Sequence, residues 1–362
     1  MHHIARRRVL AMLALALLLL AAACSSDNGD AANNGATASN GANAGGGNTE
    51  ANNQNAGSGE DGEGLTPVRV VLDWTPNTNH TGLYVARDKG FFAEQGLEVE
   101  IMQPGEGNAD TMVATGDVEF GVSYQEGVTQ GRVNGVPLVS LAAVIQHNTS
   151  GFASPVDKQI ETPADFEGMT YGGWGSPIDA AVIESLMQEV EADYSKVNIV
   201  NIGNADFFTA VKRDIDFAWI YYAWTGVEAE LKGEELNVVY LTDYSDKLDY
   251  YTPVLVTNED LIQDNPDIVQ AFVAGAAQGY QYAIDHPADA AEVLIAAEPD
   301  LNAELVRASQ EWLSPRYQDD APRWGEQSRD VWAGYADWMF EHELLEQELD
   351  VDAAFTNDYL PQ

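Results

Sequence analysis

Cysteine is almost absent from this sequence: one residue, Cys24, in a chain of 362. A single thiol closes no internal disulfide, so cross-links are excluded as a source of stability. The folded part must rest on its core, and it is long enough to build one. Basic residues are also scarce, with 17 Lys and Arg against 58 Asp and Glu and a formal charge of −41 at pH 7. That balance excludes nucleic acid as a partner, because phosphate binding needs Lys and Arg. Several catalytic signatures are missing too: G-x-S-x-G, H-E-x-x-H and the P-loop. "GEGNAD" (Gly105 to Asp110) is half of a dinucleotide fingerprint without its last Gly, and it reads as the start of a helix. The six His are scattered, so neither a metal site nor a cofactor is expected.

At the N-terminus, Arg6, Arg7 and Arg8 precede the apolar run "VLAMLALALLLLAAA" and then Cys24. The run is short for a membrane span, which needs about 20 apolar residues. Residues 1–23 read as a signal peptide. The Cys directly after "AAA" resembles a lipobox, in which that Cys becomes lipidated. Leu20 stands one place earlier than the usual Leu, with Ala21 in its place. The expectation is a lipid-anchored protein on the extracytoplasmic face of the cell membrane. Residues 24–64 are Asn, Gly, Ala, Ser and acid. They bury too little apolar surface to offset ordering entropy, and they are expected to form a disordered tether.

From Val68 the pattern becomes strand–helix alternation. "VRVVLDW" is a strand, "GLYVARDKGFFAEQG" one amphipathic helix stopped by Gly96, and "LEVEIMQP" a strand with alternating acids. "VEFGVSY", "PLVSLAAVIQ", "MTYGGW", "VNIVNIG", "IDFAWIYY" and "LNVVYLTDY" read as further strands with helices between them. Ser176, Pro177 and Asp179 mark a capped helix start. Such alternation predicts a mainly parallel α/β sheet in each of two units, followed by a helical, aromatic-rich tail. The expected division is a first lobe of residues 65–154 plus 253–362 and a second of 155–252.

Four strand ends carry the chemistry. They are Asp73-Trp74 with Asn79-His80; Ser123-Tyr124-Gln125-Glu126; Tyr171 to Ser176 with Trp174; and Tyr221-Tyr222-Ala223-Trp224 with Glu228. Together they offer aromatic faces, amides and carboxylates, and no Lys or Arg. Ligands of open α/β folds sit beyond the carboxyl ends of strands. A planar, neutral or weakly basic heterocycle suits the set, stacking on rings and hydrogen-bonding at its edge. A sulfonate or nitrate would more naturally meet Arg or a bare helix N-terminus. Plainer readings exist for each: Trp74 in the core, His80 bonding within its turn, Glu228 as a solvated carboxylate, Tyr222 and Trp224 packing between lobes. Trp312, Trp324, Trp332 and Trp338 fall at helical spacing and read as packing.

"LDWTPNTNHTGLYVARDKGFFAEQGLEVE", "FGVSYQEGVT", "YGGWGSP", "WIYYAWTGVEAELKG" and "VLVTNEDL" resemble the ABC-transporter substrate-binding proteins that carry thiamine pyrimidine precursors. The resemblance spans roughly Val68 to Phe340. It implies a type II periplasmic-binding-protein fold, two α/β lobes with a hinge and a ligand cleft between them. It further implies a monomeric receptor, not an enzyme, that binds formylaminopyrimidine or hydroxymethylpyrimidine and delivers it to an ABC permease with its ATPase. On matching motifs, the ligand residues would be Asp73, Trp74, Asn79, His80, Tyr124, Gln125, Trp174, Tyr222 and Glu228. Riboflavin, nitrate or a sulfonate are alternative ligands. The same superfamily includes a hydroxymethylpyrimidine phosphate synthase that uses a lysine-bound pyridoxal phosphate and its own His. Here those two positions hold Ser123 and Gly127, and "KLDYYTPVL" lacks the synthase's cysteines.

Overall fold

The computed structural model describes residues 64–105, 108–203 and 205–362. The expected signal peptide, Cys24 and the tether up to residue 63 lie outside the described residues.

Two five-stranded sheets form the frame. In the first, β1 (Thr66–Val71) runs parallel to β2 (Leu97–Met102) and to β3 (Phe120–Ser123). The order is completed by β4 (Leu138–Ala143) and by β10 (Val254–Asn258), giving β2-β1-β3-β10-β4. The second sheet contains β5 (Ser150–Pro155), β6 (Thr170–Gly173), β7 (Asn198–Asn201), β8 (Phe217–Tyr221) and β9 (Leu236–Tyr240), in the order β7-β6-β8-β5-β9. The alternation read from sequence is visible in β2, where Leu97 and Val99 are buried while Glu98 and Glu100 face water.

The sheets are mixed, which corrects the expectation of mainly parallel pairing. β10 is antiparallel to β3 and β4, and β5 is antiparallel to β8 and β9. The cause is the path of the chain. It leaves the first sheet after Ala143 and enters the second as β5. It leaves the second after Tyr240 and returns as β10. A chain that exits one sheet at the carboxyl edge of its parallel strands and enters the next at the corresponding edge must run against the strands already there. Because β5 begins at Ser150 and pairs in the second sheet, the first crossing lies at 144–149, ahead of the expected boundary at 154.

Helices cover the sheets. α1 (Thr81–Asp88) and α2 (Phe91–Glu94) replace the single helix expected over this stretch. Gly90, at φ +84°, turns the chain left-handed between them. α3 (Ala109–Ala114) and α4 (Gln125–Val133) follow in the first unit, and α5 (Pro177–Glu189), α6 (Phe207–Ala210) and α7 (Val227–Lys232) in the second. As the sequence indicates, the Ser176 hydroxyl caps α5, accepting from the Ile178 amide at 3.3 Å. The tail comprises α8 (Glu259–Asp264), α9 (Pro266–Asp285), α10 (Pro287–Ala297), α11 (Ala303–Leu313), α12 (Arg329–Glu341) and α13 (Val351–Ala354). No helix among the described residues is long and apolar enough to cross a membrane.

One core lies against the first sheet, where Phe120 stacks on Phe272 at 3.8 Å. Another lies against the second sheet, where Phe152 meets the edges or faces of Phe166, Tyr171 and Phe217. The tail, expected to belong wholly to the first lobe, serves both. Trp332 of α12 packs with the β1 and β10 side, while Tyr335, Trp338 and Met339 pack with the second-sheet core. Trp338 donates its indole N–H to Ser185 at 3.1 Å. Trp324, Trp332 and Trp338 are buried packing residues, as their spacing implies.

Candidate functional site

The carboxyl ends of β1, β3, β6 and β8 converge on a cleft between the sheets. Its deepest part encloses about 300 Å³ and is lined by Asp73, Trp74, Asn77, Tyr124, Trp174, Tyr221 and Thr252, among others.

The turn after β1 is built around Asp73. Asn77 starts a 3₁₀ turn, its side-chain oxygen accepting from the Asn79 amide at 2.9 Å. The Asn77 amide donates to Nδ1 of His80 at 3.2 Å. An amide N–H can only donate, so Nδ1 is the acceptor and the ring proton sits on Nε2. That N–H points at Oδ1 of Asp73, 2.6 Å away. The Tyr124 hydroxyl donates to Oδ2, also at 2.6 Å. Burial raises the cost of charging Asp73, yet His80 and Tyr124 outweigh it and hold the carboxyl below its ordinary range. Burial and the neighbouring Asp73 carboxylate push the Tyr124 hydroxyl well up, so it stays a donor.

The turn is fixed from behind by the tail. The Tyr280 hydroxyl donates to the Asn79 carbonyl at 2.7 Å, and the Tyr317 hydroxyl donates to the Thr78 carbonyl at 2.5 Å. Ser309 of α11 meets the Thr78 hydroxyl at 2.6 Å and also reaches the Ala223 carbonyl, tying the first unit's turn to the second unit's.

The walls are aromatic. Trp74 and Trp174 are half exposed, at 51% and 46%, although both are large apolar groups. Exposed indoles at a cleft mark a surface kept free for something to cover. Trp174 is aimed by its own backbone, whose amide donates to Oδ2 of Asp179 at 3.1 Å. Trp219 lies 6.4 Å from Trp174 between ring centroids. Trp224 completes the wall from a π turn over Tyr222–Gly226. Two buried polar atoms of lining residues, Nε1 of Trp219 and Oγ1 of Thr252, have no protein partner.

A group of acids stands behind this wall. Burial raises Asp110, which also feels Asp73. Burial and the facing Asp179 push Glu126 up to about 7. Asp179 is itself raised by burial, against the pull of the backbone amides of Trp174, Gly175 and Ser176. No Lys or Arg lines the cavity. Among the described residues no group of three or more His, Cys, Asp or Glu is placed to hold a metal ion.

Of the residues singled out from sequence, Asp73, Trp74, Asn79, Tyr124 and Trp174 line the cavity. His80 is fully buried and acts on Asp73. Gln125 turns away: its amide oxygen accepts from the Tyr251 amide and its nitrogen donates to the Val331 carbonyl, joining α4 to the second crossing and to α12. Tyr222 also points elsewhere, bonding Glu230 at 2.5 Å and packing on Trp312 at 5.2 Å. Glu228 pairs with Lys232 at 2.7 Å and lines a neighbouring chamber of about 250 Å³. Tyr221, Trp219, Thr252 and the acids Asp110, Glu126 and Asp179 were not anticipated as part of the cleft and its surroundings. Strand alternation holds the signal for two of them. In "FAWIY", Phe217 and Trp219 share a face with Tyr221, so the strand's last residue is the one aimed at the cleft.

With this geometry in hand, comparison with known proteins is informative. The sequence model of the family described as NMT1/THI5 like matches residues 77–290, more than half of the chain. A formylaminopyrimidine-binding protein of Halalkalibacterium halodurans is 27% identical over 305 residues, 82% of this chain and 92% of that one. A 4-amino-5-hydroxymethyl-2-methylpyrimidine phosphate synthase of Legionella pneumophila is 24% identical, covering 81% of this chain and 92% of that one. Among solved structures, the periplasmic aliphatic sulphonate binding protein SsuA of Escherichia coli superposes with a TM-score of 0.63 at 13% identity, over 82% of this chain and 94% of that one. The periplasmic-binding-protein fold is thereby shown.

Proposed function

The chain belongs to the NMT1/THI5-like family, and we propose from that premise that it is an extracytoplasmic receptor for a pyrimidine precursor of thiamine. The observation that carries this reading is the pairing of Asp73 with the indoles. A carboxylate held by His80 and Tyr124 faces a ring-sized cavity walled by Trp74 and Trp174. An aminopyrimidine supplies what such a site lacks. Its amino N–H groups donate to Asp73, its faces cover the indoles, and its ring nitrogens accept from unpartnered donors such as Trp219 Nε1. The lobes close over it as hinged units, and Cys24, once lipidated, keeps the receptor beside an ABC permease and its ATPase.

The rival ligands fit less well. A sulfonate or nitrate would enter a cavity lined by no cation and backed by carboxylates. Synthase chemistry needs a donor side chain where Gly127 stands. There a Cβ would lie 2.9 Å from Oδ2 of Asp110, so a larger residue would displace that acid. These points support a binding role.

The test is calorimetric titration of residues 64–362 with formylaminopyrimidine, hydroxymethylpyrimidine, riboflavin and taurine. Binding of a pyrimidine is expected, with riboflavin and taurine inert. Asp73→Asn should weaken it by about 1.5–3 kcal/mol, roughly tenfold to a hundredfold, with folding retained. Equal affinity in the variant, or binding of taurine alone, would overturn the reading.

A further inference from the structure

We propose that the ligand carries a second flat ring, joined to the first, and that this ring occupies the chamber beside Glu228. The proposal rests on the pyrimidine reading for the first ring and extends it to the rest of the molecule. The cleft does not end at the indoles. The cavity next to Asp73 and the chamber of about 250 Å³ next to Glu228 share Trp74, Trp174, Trp219, Ile220, Trp224 and Thr225 as common walls. One continuous groove therefore runs from the first strand end to α6 and α7. A lone substituted pyrimidine fills only the half that Asp73 commands.

The far chamber states its own chemistry. Phe207 and Phe208, at the start of α6, join the shared indoles as ring faces. Gly172 and Gly173 keep the floor open. Its two acids are Glu228, paired with Lys232, and Asp206, which caps α6 by accepting from Thr209 at 2.9 Å. Lys232 stands behind the wall, 3.7 Å above the Phe208 ring, and no Lys or Arg lines the chamber itself. Aromatic faces with acids and no lining cation favour a ring that is uncharged or positive. They disfavour any phosphate or carboxylate on the extension.

The test compares hydroxymethylpyrimidine, thiamine and thiamine monophosphate by calorimetric titration. Thiamine serves as a pyrimidine bridged to a cationic ring. Two variants alter only the far chamber: Phe207→Ala removes a wall, and the exposed Ala205→Trp fills the space. Thiamine should bind at least tenfold tighter than hydroxymethylpyrimidine, and its monophosphate at least tenfold weaker than thiamine. Each variant should erase most of the thiamine advantage while leaving hydroxymethylpyrimidine within about twofold. If hydroxymethylpyrimidine binds but thiamine binds no tighter, or if both variants keep the advantage intact, the second ring is refuted and the receptor reading stands. If no pyrimidine binds the unaltered protein, both fall together.

Discussion

Asp73 keeps its charge because two donors stand behind it, one on each oxygen. A carboxyl with a depressed folded-state value contributes its stabilisation above the unfolded value and loses it as pH falls through the folded one. The same holds for its use as an acceptor. Tyr124→Phe removes one donor, so the acid-side loss of ligand affinity should begin at a higher pH than in the unaltered protein. Titrations between pH 4 and 7 would read this, and coincident profiles would show that Tyr124 does not tune the site. Glu126 has the opposite sign. Its folded value near 7 lies above the ordinary carboxyl value, so folding takes up a proton between the two. Its contribution then turns unfavourable as pH rises to 7 and beyond. The groups facing it are Asp179 of α5, and Tyr221, Tyr250 and Tyr335 from β8, the second crossing and α12. Glu126→Gln should stabilise the protein at pH 8 by about 2–3 kcal/mol and hardly at all at pH 4; melting at both values measures the difference. At this scale the sequence was legible where a polar turn ends a strand, as at Asp73 and Trp174. It was illegible by one residue at Tyr221-Tyr222, because a π turn resets the direction of side chains immediately after β8. The acids Asp110, Glu126 and Asp179 come from separate helices and meet only through the tertiary fold.

At the level of elements, the turn that holds Asp73 depends on how closely α1 lies on α9. A Cβ on Gly279 would sit 2.0 Å from the Gly82 carbonyl oxygen, and one on Gly82 would enter the Tyr280 ring. The same Tyr280 donates to Asn79 in the binding turn. Gly279→Ala should therefore push the helices apart, costing about 1–3 kcal/mol or more. It should also weaken ligand binding, although Gly279 lies outside the cavity. Urea unfolding gives the first effect and titration the second. An unchanged midpoint would mean that the helices slide without strain. The elements themselves were largely legible, since hydrophobic period and caps locate most strands and helices. Two features were not. The break at Gly90 leaves the apolar spacing of α1 and α2 almost undisturbed. The antiparallel direction of β5 and β10 depends on where the chain crosses between sheets, which local pattern does not record.

For the whole molecule, the formal charge of −41 sets the response to salt. Like charges repel in the compact state, and salt screens them, with a Debye length falling to about 3 Å at 1 M. The melting temperature should rise by several degrees between about 0.05 M and about 1 M NaCl. A flat or falling profile would show that local ion pairs such as Arg69 with Glu119 outweigh the net repulsion. The two-lobed plan was readable from two successive strand–helix series, whereas the tail's service to both cores was not, because its Trp and Tyr carry no mark of which core receives them. One consequence of the sheet order concerns assembly in time. β3 and β4 are made early, but the strand that belongs between them begins at Val254. Until more than a hundred further residues have been synthesised, the first sheet has a vacant central lane bordered by two bare strand edges. Bare edges invite pairing with other chains. The nascent protein therefore passes through a long interval in which its first half is most exposed to aggregation, and a holding chaperone would matter most there.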